Sequence, residues 1–230
     1  MKDWIRPEIQ ALSAYSIPAP GDWIKLDAME NPYHWPEPLQ QMWLESLPSV
    51  ELNRYPDPAA RELSALLRQV MRVPDGAGMV LGNGSDELIQ LLMMSVAQPG
   101  RTILAPEPTF VMYKMIAQFT GLEYVGVPLA DDFELDLDAM VAAIEQHQPV
   151  VTFLAYPNNP TGTAMTADGW DQICRWAVEN GVRLANDAAY AGLVHTEHTP
   201  LAEVAINYPN LEWIELFSAS KSHNATGWRV

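Results

Sequence analysis

Cysteine is almost missing from this sequence: Cys174 is the one example in 230 residues. A single thiol excludes an internal disulfide framework and any Cys-x-x-Cys metal site, and it fits a reducing cytosol. Positive charge is also scarce. Thirteen basic residues against 29 acidic ones give a net charge of −16. That is the wrong sign for nucleic acid, which needs a basic footprint, and for an anionic membrane surface. No apolar run is long enough to cross a bilayer, and the opening Met-Lys-Asp-Trp-Ile-Arg-Pro carries charge and proline where an export signal is apolar. What these shortages leave is a soluble, acidic, cytoplasmic globular protein. At 48% hydrophobic and 18% charged residues the composition is that of a folding chain. A prior of roughly 150 residues per domain predicts one large domain, or one and a piece of another.

Residues 1–60 are rich in proline and tryptophan and weakly periodic. They read as an extended arm with one short helix near Pro38–Leu47, lying over another surface. Clear alternation follows. Ala59–Arg72 has helical spacing, Met79–Leu81 reads as a short strand, and a helix runs from about Ser85 to Ala97. Strand Thr102–Ala105 precedes helix Phe110–Phe119, and strand Glu123–Val127 precedes helix Leu137–Gln146. Strand Val150–Ala155, helix Thr166–Asn180, strand Val182–Ala185 and strand Trp213–Phe217 complete the pattern. Short apolar strands alternating with amphipathic helices predict an α/β fold: three αβα layers around a mostly parallel sheet. In such folds ligands bind beyond the carboxyl ends of the strands.

Four predicted strands deliver polar residues to that edge. One runs into Tyr156-Pro157-Asn158-Asn159-Pro160-Thr161-Gly162, another into Asn186-Asp187-Ala188-Ala189-Tyr190, and a third into Ser218-Ala219-Ser220-Lys221. Met79–Leu81 leads to Gly82-Asn83-Gly84-Ser85-Asp86-Glu87 at a helix start. Singly, each has an ordinary explanation: a turn, a cap, a surface lysine. Together they bring an amide, a carboxylate, a phenol, one of four lysines and a glycine-flanked helix N-terminus to one place.

That set suits pyridoxal-phosphate chemistry. A lysine can form a Schiff base with the aldehyde and shuttle a proton. A carboxylate can face the pyridine nitrogen, and an asparagine with a tyrosine can bond the phenolic oxygen. A helix N-terminus can receive the phosphate, and Phe110 or Tyr113 can stack on the ring. The turn at Gly82–Ser85 lacks both the Gly-Lys-Ser/Thr ending of a P-loop and the third glycine of a dinucleotide fingerprint.

Beyond this residue-by-residue reading, the chain resembles the fold-type I, class I/II aminotransferases, and within them the histidinol-phosphate aminotransferases. The likeness rests on Asp27-Ala28-Met29-Glu30-Asn31-Pro32, Arg54-Tyr55-Pro56-Asp57, Gly82-Asn83-Gly84-Ser85-Asp86-Glu87, Pro108-Thr109-Phe110 with Tyr113, and Pro157-Asn158-Asn159-Pro160-Thr161-Gly162. It implies Lys221 as the Schiff-base lysine, Asp187 as the pyridine partner, and Asn159 and Tyr190 at the phenolic oxygen. It implies that Gly84, Ser85 and Asp86 form the phosphate turn, with Ser218, Ser220 and Arg229 also at the phosphate, and that Phe110 stacks on the ring. Tyr55 matches a tyrosine that reaches the neighbouring subunit's site, which implies a homodimer. The resemblance further implies residues 1–30 as an arm or part of a small domain, and 31–230 as the cofactor-binding large domain. The implied reaction is transamination between L-glutamate/2-oxoglutarate and imidazole-acetol phosphate/L-histidinol phosphate in histidine biosynthesis. Its substrates are small amino and oxo acids.

Two departures keep alternatives open. Ser220-Lys221-Ser222-His223-Asn224-Ala225-Thr226-Gly227-Trp228-Arg229 is worded more like aspartate-, alanine- or diaminopimelate-type enzymes, and Asp187-Ala188-Ala189-Tyr190 stands where the resembled family more commonly has Asp-Glu-Ala-Tyr. An aromatic, aspartate-type or diaminopimelate substrate is therefore the alternative. Relatives also continue for more than a hundred residues, completing the sheet and a small C-terminal domain. The strand that Arg229-Val230 should begin belongs inside the large sheet, so this chain alone is expected to be poorly stable, inactive or in need of a complementing fragment. His195 and His198 form a His-x-x-His pair with no third ligand, Cys174 reads as core, and Met93 and Met94 read as packing.

Overall fold

A computed structural model describes residues 4–13, 19, 21–22, 24–26 and 28–228, with the Trp228 side chain left aside. In chain order the elements are α1 (Pro7–Gln10), α2 (Glu37–Ser46), α3 (Arg61–Val70), α4 (Ser85–Val96), β1 (Thr102–Glu107), α5 (Met112–Thr120), β2 (Glu123–Pro128), α6 (Leu137–His147), β3 (Val151–Leu154), α7 (Ala167–Asn180), β4 (Leu184–Asp187), α8 (Leu201–Ala205), β5 (Trp213–Leu216) and α9 (Ala219–Ser222).

The five strands form one parallel sheet in the order β2-β1-β3-β4-β5. Strands β3 and β4 are buried along their whole length, as a parallel sheet covered on both faces requires. Side chains alternate between the two faces with period 2. Ile103, Val151, Phe153 and Ala185 pack with Ile89, Met93 and Tyr113 beneath α4 and α5. Leu104, Leu154, Tyr156 and Leu184 pack with Ile144, Trp170, Cys174 and Leu201 beneath α6, α7 and α8. The expected three-layer fold is therefore present. Local signals set the helix ends: Asp136 accepts from the Ala139 N–H at 2.9 Å, and Thr166 from the Gly169 N–H at 3.1 Å.

Met79–Leu81 is not a strand. It carries no regular secondary structure, and Val80 is 72% exposed. Three apolar residues become a strand only where a sheet edge receives their N–H and C=O groups, and none pairs with them among the described residues. Met94 is likewise not packing; it is 56% exposed, whereas Met93 one position earlier is fully buried. Arg229 and Val230, with the strand expected to start there, lie outside the described residues.

The N-terminal quarter adds no buried apolar side chain to the core: among the described residues none before Ile89 is buried. The expected short helix is α2, and the one-turn α1 docks on α5: the Arg6 guanidinium bonds the Phe119 carbonyl, and Gln118 Nε2 bonds the Glu8 carbonyl at 3.1 Å.

Candidate active site

The carboxyl ends of β3, β4 and β5 lie side by side, and a lateral hydrogen-bond chain joins them. Asn186, fully buried, accepts from the Tyr156 N–H at 3.0 Å and donates to the Tyr156 carbonyl at 3.2 Å and to Glu215 Oε1 at 3.3 Å. Glu215 in turn accepts the N–H groups of Leu201 and Ala202, at 2.8 and 3.0 Å. Burial pushes the Glu215 acid upward, and these donors pull it back. The chain fixes where β3 hands over to the next loop. Asn158, also buried, then closes that loop: its N–H bonds the Thr163 carbonyl at 2.8 Å, and its Nδ2 bonds Thr161 Oγ1 at 2.8 Å and the Pro108 carbonyl at 3.2 Å. Gly162 turns the chain at φ +78°, a conformation that a Cβ disfavours.

The loop presents Asn159, whose Nδ2 lies 3.4 Å from the Tyr190 hydroxyl. Lys221 Nζ stands 5.8 Å from the centre of the Tyr190 ring. Asp187 ends β4 rather than following it, three positions before Tyr190. It is 5% exposed, accepting from the Ala189 N–H and from the Tyr113 hydroxyl, both at 3.1 Å. Burial raises its acid to about 6 against those two donors. Ser218 and Ser220 flank the same end and are buried, and Ser220 Oγ has no hydrogen-bond partner. Lys221 lies on the one-turn helix α9 rather than in a loop.

At the start of α4, Gly84 adopts φ +83° and the first turn carries no side-chain cap. The first N–H groups of a helix have no partner within the helix itself, and here they are those of the Ser85–Asp86 turn. Glu87 holds the approach to it, accepting from the Asn83 N–H at 2.6 Å and from Asn83 Nδ2 at 3.0 and 3.1 Å. Those donors lower its acid. Phe110 meets Tyr113 edge to face at 5.7 Å.

Lys221, Asp187, Tyr190, Asn159, Ser218 and Ser220 are thus gathered at one edge. Phe110 is linked to them through Tyr113, and Asp86 through its charge on Asp187. Tyr55 is not brought in: it is fully exposed. Arg229 lies outside the described residues. Sequence reasoning gave Tyr113 only a stacking role and missed its bond to Asp187, 74 positions away. It also missed Asn158, Asn186 and Glu215; the one available signal was a charged residue inside the apolar run Trp213-Ile214-Glu215-Leu216. Among the described residues no group of metal-ligating side chains forms, and His195 and His198 stay without one.

Pyridoxal phosphate fits these residues on one observation above all. Asp187 is a buried carboxylate with a neutral donor on each oxygen, and among the described residues no cationic side chain pairs with it. A pyridinium N–H is the cationic donor such a group lacks. The unpartnered Ser220 hydroxyl is a second group suited to a ligand.

Comparison with known proteins agrees. Histidinol-phosphate aminotransferase from Thiocapsa roseopersicina is 58% identical over 170 residues, covering 74% of this chain and 90% of that sequence. Histidinol-phosphate aminotransferase 2 from Nitrosococcus oceani is 58% identical over 165 residues, 72% of this chain and 46% of that one. The chain thus spans about half the length of the Nitrosococcus protein. Among solved structures, histidinol-phosphate aminotransferase from Sinorhizobium meliloti in complex with pyridoxal-5'-phosphate superposes with a TM-score of 0.76 at 22% identity, over 99% of this chain and 61% of that one. N-succinyldiaminopimelate aminotransferase from Mycobacterium tuberculosis gives 0.71 at 26% identity, over 87% and 54%. The model for aminotransferase class I and II matches residues 21–230. With nearly its whole length matched in this way, the chain belongs to the class I and II aminotransferases, a family that depends on pyridoxal phosphate.

Proposed function

We propose that this protein is a cytoplasmic, pyridoxal-phosphate-dependent transaminase acting between L-glutamate/2-oxoglutarate and imidazole-acetol phosphate/L-histidinol phosphate, with residues 31–230 as its cofactor-binding unit. The single observation that carries the chemistry is the meeting of Lys221, Tyr190, Asn159 and the buried Asp187 at one sheet edge. The 58% identity to histidinol-phosphate aminotransferases supports the substrate.

When bound, pyridoxal phosphate supplies an electrophilic aldehyde and an electron-withdrawing ring. Lys221 is the amine that would hold it through Nζ, and the same amine, once released, would be placed to take up and return the proton at the substrate α carbon. The buried Asp187 carboxylate would face the ring nitrogen and favour its protonated form. Asn159 and Tyr190 would donate to its phenolic oxygen, and Phe110 would cover the ring face. Ser85 and Asp86 would offer backbone N–H groups to its phosphate beside the Gly84 turn, with Ser218 and Ser220 as the hydroxyls at that end; Arg229 is given a phosphate role by the resemblance alone. Tyr55, fully exposed here, reaches the site of a second copy in a homodimer.

A second reading is favoured by the wording of the lysine segment, Ser220-Lys221-Ser222-His223 through Gly227-Trp228. It takes an aromatic, aspartate-type or diaminopimelate amino donor instead. Borohydride reduction after incubation with pyridoxal phosphate tests the site. A single adduct mapped to Lys221 is expected, and label scattered over Lys2, Lys25 and Lys114 overturns the assignment. Half-reactions with histidinol phosphate, aromatic amino acids, aspartate and diaminopimelate then separate the two substrates. No turnover with any of them leaves a cofactor-binding, inactive fragment.

A further inference from the structure

Tyr113 has a rigid setting. Its ring is fully buried, stacked on Phe153 at 4.9 Å and 26°, and edge-on to Phe110 at 5.7 Å. Packing on two sides leaves the hydroxyl a narrow arc. Within that arc lies Asp187 Oδ2, 3.1 Å away, while Asp187 Oδ1 faces the Ala189 N–H at 3.1 Å. The carboxylate is therefore held by one donor on each oxygen, from α5 and from the turn after β4.

The direction of this bond is unambiguous. An ionised carboxylate only accepts, so the phenol donates. Burial and the neighbouring Asp187 charge raise the Tyr113 phenol well above its ordinary range, so it keeps its proton throughout the working pH. A donor of this kind favours the charged form of its acceptor. It acts against the two influences that disfavour charge on Asp187: burial, and the like charge of Asp86 at the start of α4.

We infer that Tyr113 is a positioning residue of the cofactor site: its hydroxyl fixes the Asp187 carboxylate in one orientation and keeps it anionic, so that it receives a ring N–H. The inference rests on the cofactor reading given above. It assigns to Tyr113 work that a ring-stacking aromatic does not do. Stacking needs only a face, whereas this role needs the hydroxyl. It also predicts that the hydroxyl assists the cofactor rather than competing with it for Oδ2, since each carboxylate oxygen accepts more than one bond.

Tyr113→Phe removes the hydroxyl and keeps both ring contacts. The test titrates the parent and Tyr113→Phe proteins with pyridoxal phosphate between pH 5 and 8.5, following cofactor absorbance. A hydrogen bond to a charged group corresponds to about a tenfold change in affinity. The variant should bind about tenfold more weakly at neutral pH, and the pH below which affinity falls should move up by roughly one unit. Unchanged or tighter binding overturns the inference. So does an even loss at every pH with no shift in midpoint, because that is the signature of packing alone. If the variant does not fold, the phenol proton of Tyr113 is followed by NMR in the parent protein. A resonance that moves as Asp187 titrates supports the role, and one indifferent to it overturns the role. A parent protein that gives no cofactor band at all defeats the cofactor reading instead, so the two failures are distinguishable.

Discussion

Lys221 Nζ donates a 2.6 Å hydrogen bond to the backbone carbonyl of Ala28, 193 positions earlier in the chain. Two further bonds join the same stretches. Trp35 Nε1 bonds the Asn224 carbonyl at 3.2 Å, and Asn224 Nδ2 bonds the Tyr33 carbonyl at 2.8 Å. The N-terminal segment thus crosses beside the candidate nucleophile and meets it with backbone. Ala28 and Met29 turn there at φ +57° and +49°. A residue with a Cβ persists in that region only where its surroundings hold it, at about 1–2 kcal/mol each.

Asn224 should be the sensitive point of this strap, because it also sits at φ +52°, which asparagine tolerates better than alanine. Asn224→Ala removes the bond to Tyr33 and adds backbone strain, for a destabilisation of about 1–2 kcal/mol. Asn224→Gly removes the bond and relieves the strain, so it should be the milder change. Urea denaturation ranks the two, and hydrogen exchange over residues 28–35 should quicken in both.

Asp187 sets a pH dependence with a defined sign. Its acid lies near 3.8 when unfolded and at about 6 in the folded cofactor-free protein. Above pH 6 the carboxylate is charged in both states and burial destabilises the fold. As pH falls from 6 towards 3.8 the folded state alone takes up the proton, so this group's contribution moves in favour of folding. Asp187→Asn removes the charge, and its amide still suits both neighbours, since its oxygen accepts from the Ala189 N–H and its NH2 donates to the Tyr113 oxygen. The variant should be more stable than the parent at pH 7.5, by at most about 3 kcal/mol, and the advantage should fade towards pH 4. Denaturation midpoints of the two cofactor-free proteins across that range check it. Cofactor affinity should move the other way and fall in the variant.

The sheet was legible in the sequence because β3 and β4 are short runs buried on both faces, where apolar composition is decisive. The strand ends were legible for a related reason: Asp187 closes the buried run of β4, and Asn159 and Lys221 come within a few residues of the ends of β3 and β5, polar groups where apolar runs stop. Met79–Leu81 was not, since apolar character does not supply the partner edge a strand needs. The bond from Tyr113 to Asp187 was hidden by its separation of 74 positions, and by the fact that a buried tyrosine reads as an aromatic before it reads as a donor. The contact between Lys221 and Ala28 leaves no trace in sequence, because any residue carries a carbonyl.

Glu215, on β5 shortly before Lys221, should matter for the whole strand edge. Glu215→Ala leaves the N–H groups of Leu201 and Ala202 without their acceptor and releases one of the bonds holding Asn186. A loss of about 3 kcal/mol is expected from buried donors left unpaired. Thermal melts measure that loss. Weaker cofactor binding at a temperature where the variant is still folded would separate an effect on the β3–β4 edge from an effect on stability alone.

Gly192 offers the sharpest steric test of how Lys221 is placed. A Cβ built there would lie 2.7 Å from Ser222 Cβ and 3.5 Å from Ser222 Cα. Cβ is tied to the backbone of α9, so relief requires the helix carrying Lys221 to move away from the turn that follows Tyr190. Gly192→Ala should destabilise by about 1–3 kcal/mol, as overpacking does. It should also slow borohydride-trapped labelling of Lys221 several-fold at subsaturating pyridoxal phosphate. Gly227→Ala is the matched control: a Cβ there meets nothing within 4 Å, and the change should stay within about 0.5 kcal/mol. If both variants label at the parent rate, then contact with the Tyr190 turn does not set the lysine's position, and the strap from the N-terminal segment becomes the element that does.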